Sequence, residues 1–256
     1  MKYTRLGHSC FVLENSSGKK VMVDPFLKQN PACPAVFLTD EYLKEIDVVL
    51  VTHGHFDHIS GLQDVFAANP NVLVIAQYEL AIKLLGEGYQ SFPLNYGGTY
   101  YGDDLEVTMV NALHTSSYGE TIGKPELVGS PCGFIVKAVG EETLYISGDT
   151  GVMADMKIIQ DLYEPTVAIL SCSGQFVMGP KEASYALNHL LRVKKVIPCH
   201  TFPSVEEAAN PAGMAGLVEN FPVVALMVGQ DEELFELMKD SSVEVVTLGY
   251  GETREI

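Results

Sequence analysis

Short apolar runs alternate with amphipathic stretches along the whole chain, and they predict strands and helices in turn. Cys10–Glu14 and Lys20–Val23 flank the turn-forming residues 15–18, which predicts a hairpin. Val48–Val51 is apolar at every position, as in a buried strand. Further strands are expected at residues 72–76, 105–112, 132–139, 143–147, 167–171 and 195–198.

Helices are expected between these strands. We expect Ser60 to cap a helix that runs to Ala68, and Gly179 and Pro180 to begin another over residues 181–191. Residues 41–45, 77–85 and 153–163 also have a helical pattern, whereas residues 213–248 suggest one more helix and two or three strands. The pattern predicts an α/β protein, and the lack of a visible repeat argues against a solenoid.

Composition narrows the class of protein. With 256 residues and 47% hydrophobic content, the chain can bury a substantial core, and we expect residues 1–256 to form one domain. The sequence contains no apolar stretch of about 18 residues, so no membrane span is predicted. The amino terminus lacks the apolar core of an export signal, so we expect a cytoplasmic protein.

Charge and cysteine content argue against nucleic acid and against metal-thiolate chemistry. The formal net charge is -17 with only 16 Lys and Arg residues, which argues against nucleic acid as a partner because phosphate contacts depend on basic side chains. The five cysteines are scattered without a C-x-x-C pair, so we expect reduced thiols rather than disulfides or a zinc-thiolate cluster. A small-molecule substrate is the expected partner, and a homo-oligomer is left open.

The candidate chemistry is concentrated in the turn after Val48–Val51. His53, His55, Asp57 and His58 lie within this turn, and imidazole nitrogens with carboxylate oxygens are typical ligands of zinc and similar divalent metals. Four adjacent side chains cannot easily converge on one ion, which favours two metals. A histidine-rich surface loop without chemistry is the alternative.

Further candidate ligands follow later apolar runs, so one sheet edge would gather the set. These are His114, Asp149 and His200. Residues 118–131, between His114 and the next strand, are rich in Gly and Pro and suggest either a flap over the site or an ordinary surface loop.

Several segments together resemble the metallo-beta-lactamase superfamily, whose H-x-H-x-D-H motif occurs here at residues 53–58. The match runs in order along the whole chain and looks closest to the UPF0173 metal-dependent hydrolases, which are related to the ascorbate-phosphate lactonase branch. The segments that carry this closer resemblance are Gly7-His8-Ser9, Asp24-Pro25-Phe26, residues 114–117, residues 147–150, Met178-Gly179-Pro180 and residues 194–198 before His200.

This resemblance implies a four-layer αββα sandwich that binds two divalent cations, with zinc expected first and manganese, iron or nickel as alternatives. By position, one cation would bind His53, His55 and His114, and the other Asp57, His58 and His200, with Asp149 bridging them. The implied reaction is hydrolysis of a small phosphoester, lactone or other ester by a metal-bound hydroxide.

Alternatives remain open at this level. A nuclease or phosphodiesterase of the superfamily would need an RNA-binding extension or basic patch, the diiron flavoprotein branch commonly has Glu where His55 stands, and a non-catalytic metal-binding protein fits the ligand set. Residues 171–176 and 199–203 depart from the pattern of relatives, which puts any borrowed substrate in doubt.

Two residues outside the motif are further candidates. His8 would orient a substrate or relay a proton, or else pack in the fold, and Asp24 would hold a ligating histidine in one tautomer or cap a turn. We expect surface or packing roles for His189, Cys172 and Cys199.

Overall fold

The computed structural model describes residues 1–118 and 124–256. Its strands, in chain order, are β1 (Lys2–Gly7), β2 (Cys10–Glu14), β3 (Lys20–Val23), β4 (Val48–Val51), β5 (Leu73–Gln77), β6 (Gln90–Leu94), β7 (Thr99–Tyr101), β8 (Glu106–Asn111), β9 (Cys132–Lys137), β10 (Leu144–Ile146), β11 (Val167–Ser171), β12 (Lys195–Cys199), β13 (Glu244–Val245) and β14 (Thr253–Glu255). The helices are α1 (Asp40–Leu43), α2 (Phe56–Ile59), α3 (Leu62–Ala68), α4 (Tyr78–Gly86), α5 (Asp155–Tyr163), α6 (Pro180–His189), α7 (Pro211–Asn220) and α8 (Gln230–Met238), with 3-10 turns at Ala35–Leu38 and Pro222–Met227.

The strands form two sheets. The first has the order β14-β1-β2-β3-β4-β5-β6, and the second has the order β13-β12-β11-β10-β9-β8-β7. Each sheet combines antiparallel strands with a parallel half, which runs from β3 to β6 in the first sheet and from β10 to β13 in the second. Parallel neighbours bring their carboxyl ends to one edge, so the loops that follow them meet there.

The buried side chains alternate between two cores along each central strand. In β4, Val48 and Leu50 pack between the sheets, whereas Val49 and Val51 pack against the outer helices. In β11, Ile169 faces the inter-sheet core and Leu170 joins the core formed with the helices of the second sheet. Because successive strand residues point to opposite faces, this alternation produces the four-layer αββα sandwich, and the expected fold is confirmed.

One predicted helix start is wrong. Ser60 is not the N-cap of the helix that runs to Ala68, because Phe56–Ile59 forms a separate short helix whose C-cap is Ser60, and the N-cap of α3 is Gly61. A Cβ atom at Gly61 would lie 2.6 Å from Leu27 Cγ, and the Gly61 N–H donates to Pro25 O over 2.7 Å. This close approach of two chain segments requires the glycine and separates the two helices.

The C-terminal part also differs from the prediction. Residues 222–227 form a 3-10 turn rather than a strand, and residues 211–238 contain two helices instead of one. The carboxyl terminus returns as β14, which pairs with β1. Of the predicted flap, residues 119–123 lie outside the described residues, and Tyr118 forms an isolated bridge with Glu126. No helix in the described ranges is long and apolar enough to cross a membrane.

Candidate metal centre

The seven predicted ligands lie together at the edge where the parallel strands of both sheets end. His53, His55, Asp57 and His58 follow β4, whereas the other three follow strands of the second sheet. His114 follows β8, Asp149 follows β10 and His200 follows β12. Their ligand atoms fall into sets that lie within 4.8 Å of one another. The structure therefore brings the candidate residues together, and their binding of metal stays a prediction.

Asp149 lies at the middle of the cluster. Its Oδ2 atom is 2.9 Å from His200 Nε2, 3.3 Å from His58 Nε2, 3.6 Å from His114 Nε2 and 3.9 Å from His53 Nε2. Burial opposes ionisation of this carboxyl, but His200 and His58 hold the pKa of Asp149 well below its usual range. This buried carboxylate faces imidazoles from both predicted ligand sets, and its role as a bridge between two cations stays a prediction.

A chain of hydrogen bonds sets the tautomers of His58 and His53. Asp24 Oδ2 accepts from His58 Nδ1 over 2.8 Å and from the Thr52 hydroxyl over 2.8 Å. Since Thr52 gives its one proton to Asp24, its oxygen must accept from His53 Nδ1, which is 3.0 Å away. The Nε2 lone pairs of both histidines are therefore left for the centre of the cluster.

Ser173 sets the tautomer of His200. The Ser173 hydroxyl lies 2.8 Å from His200 Nδ1 and donates to Gly174 O over 3.4 Å, so the Nδ1–H of His200 donates to Ser173. His200 Nε2 then faces Asp149. No motif singled out Ser173 or Thr52, although Ser173 lies two residues beyond the end of β11, at the edge where the other candidates were expected.

The residues present fit a pair of divalent cations. One set of ligand atoms comes from His53, His55 and His114, and another includes Asp57, His58 and His200. His58 Nε2 and Asp149 Oδ1 are buried and have no hydrogen-bond partner among the described residues. Buried polar atoms are normally paired, so these two atoms indicate a missing partner, and imidazole with carboxylate is a donor set suited to zinc or a similar ion.

His8 lies against this second set. Its Nε2 atom is 3.1 Å from Asp57 Oδ2, and its ring stacks on Phe202 with 4.3 Å between centroids. Burial lowers the pKa of His8 to about 4, so the ring is neutral near pH 7 and its one N–H donates to Asp57. His8 also belongs to the set of ligand atoms with Asp57, His58 and His200, so packing alone does not describe it.

The backbone is strained at three of these positions. His8, Asp24 and His200 have φ values of 53°, 48° and 63°, in the left-handed region that non-glycine residues rarely adopt. Each such residue costs on the order of 1 to 3 kcal/mol, and such strain clusters at functional sites. The surrounding hydrogen bonds, including His200 N–H to His8 O over 3.0 Å, hold this geometry.

The remaining candidates do not belong to the sets of ligand atoms. His189 ends α6 and its ring packs beside Tyr185. Cys199 is buried between the sheets, and Cys172 is buried in the core on the outer face of the second sheet. Burial raises the pKa of both thiols well above the usual range.

Comparison with known proteins agrees with this geometry. The family model described as the beta-lactamase superfamily domain matches residues 19–201. A UPF0173 metal-dependent hydrolase of Azorhizobium caulinodans is 41% identical over 79% of this chain and 87% of its own length. Another, from Pelotomaculum thermopropionicum, is 38% identical over 91% of this chain and 100% of its own. The fold and the site thus define a metal-dependent hydrolase of the metallo-beta-lactamase superfamily. Within that class, the chain belongs to the UPF0173 family.

Solved structures show the same architecture. A metallo hydrolase from the archaeon Ignicoccus hospitalis superposes with a TM-score of 0.77 at 28% identity, covering 100% of this chain and 98% of the other. An isothiocyanate hydrolase from Delia radicum gut bacteria superposes with a TM-score of 0.70 at 21% identity, covering 100% and 99%, and shows the fold alone.

Proposed function

We propose that this metal-dependent hydrolase binds two divalent cations, zinc in the first instance, and cleaves a small ester-type bond such as a phosphoester, a lactone or a carboxylic ester. The observation that carries the proposal is the position of Asp149, whose Oδ2 atom lies within 3.9 Å of histidines from both ligand sets. A single-ion site would not need a carboxylate between two groups of imidazoles.

Divalent cations bound at such a centre lower the pKa of a shared water molecule and polarise the oxygen of an acyl or phosphoryl group. The protein's contribution is to hold the ligands in one tautomer and one position. Asp24, Thr52 and Ser173 fix the Nδ1 side of His58, His53 and His200, which leaves Nε2 of each ring for binding. Little reorganisation is then needed when substrate arrives.

The more exposed ligands indicate where substrate enters. The Asp57 side chain is 22% exposed and that of His114 is 11% exposed, whereas Asp149 is 3% exposed. His55 is also only partly buried. Substrate would therefore approach over His55, Asp57 and His114. On the buried side, the His8 N–H donates a hydrogen bond to Asp57.

Electrostatics favour a small substrate over nucleic acid. Two divalent cations outweigh the charges of Asp57 and Asp149, so the centre would attract an anionic or polarised group locally. The chain as a whole carries a formal net charge of -17, which would repel a long polyanion.

The test is a substrate panel on metal-reconstituted protein: p-nitrophenyl acetate, bis-p-nitrophenyl phosphate, a γ-lactone and single-stranded RNA. We expect hydrolysis of at least one small ester, and Asp57→Asn should lower kcat at least about a hundredfold because it removes a charged ligand from the reacting face. His189→Ala is the control, since His189 lies away from the cluster. Full activity in Asp57→Asn would overturn the mechanism, and bound metal without any hydrolysis would favour a non-catalytic metal-binding protein.

A further inference from the structure

A cavity of about 350 Å³ lies against α2, the short helix that follows the candidate ligand His55. One wall comes from α2 and the start of α3, with Phe56, Ile59 and Leu62. This is the short helix that also carries Asp57 and His58, and Phe56 stands between the ligands His55 and Asp57 in the chain. The cavity therefore shares a structural element with the centre.

The opposite wall is formed partly by Tyr118, on the segment that follows His114. A Cβ atom at Gly54 would lie 2.6 Å from Ser117 O and 3.6 Å from Tyr118 Cα, so this segment lies directly against the turn that holds the ligands. The Gly54 N–H also donates to Ser116 Oγ over 3.3 Å. One wall thus contains the neighbour of two proposed ligands, and the other comes from a segment that contacts the ligand-bearing turn at Gly54. Phe56 is 41% exposed, so the cavity is open.

The lining suits an uncharged group. Phe56, Tyr89 and Tyr118 supply aromatic surface, and no Lys or Arg belongs to the lining among the described residues. Of the described lining residues, only Glu87 is charged, and it accepts a hydrogen bond from the Tyr118 hydroxyl over 2.6 Å. The nearby Lys83 is outside the lining, and its Nζ atom already pairs with Glu87 Oε1 over 3.5 Å and with Glu126 Oε2 over 3.1 Å. A phosphate or carboxylate would therefore compete with two carboxylates for this cation, whereas an alkyl or aryl group would replace water on apolar surface.

We infer that this cavity is the subsite for an uncharged apolar group of the substrate, so that the enzyme selects esters with an alkyl chain or aryl ring over those with a small or anionic substituent. The inference rests on the proposed hydrolysis and adds the substrate class to it. The volume falls within the range of small-molecule sites, which is roughly 300 to 1,000 Å³.

The kinetic test uses p-nitrophenyl acetate, butyrate and hexanoate with metal-loaded protein. The wild type should prefer hexanoate over acetate by about tenfold or more in kcat/KM, since burial of even one of the additional methylenes of hexanoate is worth about tenfold in a fitted pocket. Gln63, an exposed residue of the lining, gives the blocking variant Gln63→Trp, which should reduce that preference about tenfold. Ala67→Trp is the matched control, because Ala67 is exposed on the same helix but outside the lining, and it should keep the wild-type preference.

A second measurement does not need catalysis. The chain has no Trp, so Phe56→Trp places a single fluorophore in the cavity wall. Hexan-1-ol should shift its emission saturably and methanol should not, whereas Tyr185→Trp, on the distant α6, should respond to neither. Ester hydrolysis without chain-length preference, together with no saturable shift, would overturn the inference. A saturable shift without hydrolysis of any ester would instead support the apolar subsite and overturn the proposed reaction.

Discussion

Asp24 accepts a hydrogen bond from His58 Nδ1 over 2.8 Å and is buried with it beneath the ligand cluster. Burial raises the pKa of Asp24, and the neighbouring His58 counteracts part of that rise. This hydrogen bond keeps the Nε2 atom of His58 directed toward the ligand cluster. Several expectations depend on this arrangement and on its counterparts at His200 and His8.

Replacing Asp24 with Asn should weaken metal binding at the set that contains His58. The amide cannot supply the carboxylate charge, and loss of such an orienting partner typically costs about 10- to 100-fold in metal affinity. Asn tolerates the left-handed backbone found at Asp24, so the fold should survive. Competition titration with a chromophoric chelator measures the affinity, and an unchanged affinity for both cations would contradict the role given to Asp24.

Ser173→Ala should have a milder effect on the same set. The variant removes the acceptor for His200 Nδ1 and leaves that N–H unpaired in a buried place, which costs about 1 to 3 kcal/mol. We expect a lower affinity for the second cation and little change for the first, measured as metal retained after dialysis against increasing chelator. Ser184→Ala is the control and should retain both cations, because the Ser184 hydroxyl donates to Lys181 O within α6.

Removal of metal should lower the stability of the protein. A cation that binds the folded state alone stabilises it by about 2.7 kcal/mol at a free concentration 100 times its Kd. Without a cation, the folded protein must still hold buried carboxylates and imidazoles close together, such as Asp149 and His58, which lowers its stability further. Urea unfolding of the chelated and reloaded protein compares the two forms. Equal midpoints, with metal binding confirmed by elemental analysis, would show that the centre does not contribute to stability.

His8→Asn should lower kcat while both cations are retained. Asn fits the left-handed backbone at this position but is too short to keep the 3.1 Å contact between His8 Nε2 and Asp57 Oδ2, so Asp57 loses its support. We expect a decrease of about 10- to 100-fold in kcat with a smaller change in KM, by analogy with other supporting partners of metal ligands. Loss of one equivalent of metal would show instead that His8 is itself a ligand.

Asp104→Asn should change the acid sensitivity of the fold independently of the metal centre. Hydrogen bonds from Lys19, Ser17 and Asn15 lower the pKa of Asp104 from 3.8 to about 2. A carboxyl whose pKa is lower in the folded state stabilises the fold above its unfolded pKa, and this contribution is lost as the pH falls from about 4 to about 2. The Lys19–Asp104 pair is partly open to solvent, which screens it, so its contribution to stability is below about 1 kcal/mol. The difference in unfolding free energy between variant and wild type, measured by urea at pH 6 and pH 2.5, should shrink at the lower pH.

Local patterns predicted the elements that position the site. The hairpin of β2 and β3, the strand β4 and the strand β11 have the predicted bounds, because continuous apolar runs between turn residues leave few alternatives. The family resemblance and the spacing of residues 53–58 then indicated the candidate ligands. The four-layer sandwich followed from that resemblance and is confirmed.

What the sequence did not predict depends on contacts between distant segments. The break between α2 and α3 arises where Gly61 meets Pro25 and Leu27, which no local pattern encodes. The pairing of β14 with β1 joins the two ends of the chain, and the support of His200 by Ser173 depends on how β11 and β12 align. Ser60 was predicted as the N-cap of α3 because serine often occupies that position, but tertiary packing moves the start of this helix to the residue after Gly61.

The position of the ligands in both sheets affects how the protein assembles. His53 and His58 belong to the first sheet, whereas His114, Asp149 and His200 belong to the second, so neither half of the chain carries a complete coordination set. Each sheet could form its own strands, but a cation could bind its full set of donor atoms only after the two sheets have packed together. Full cation binding would then occur only at the last stage of folding. During synthesis, the chain could bind its full set of cations only after β12 and His200 had been made.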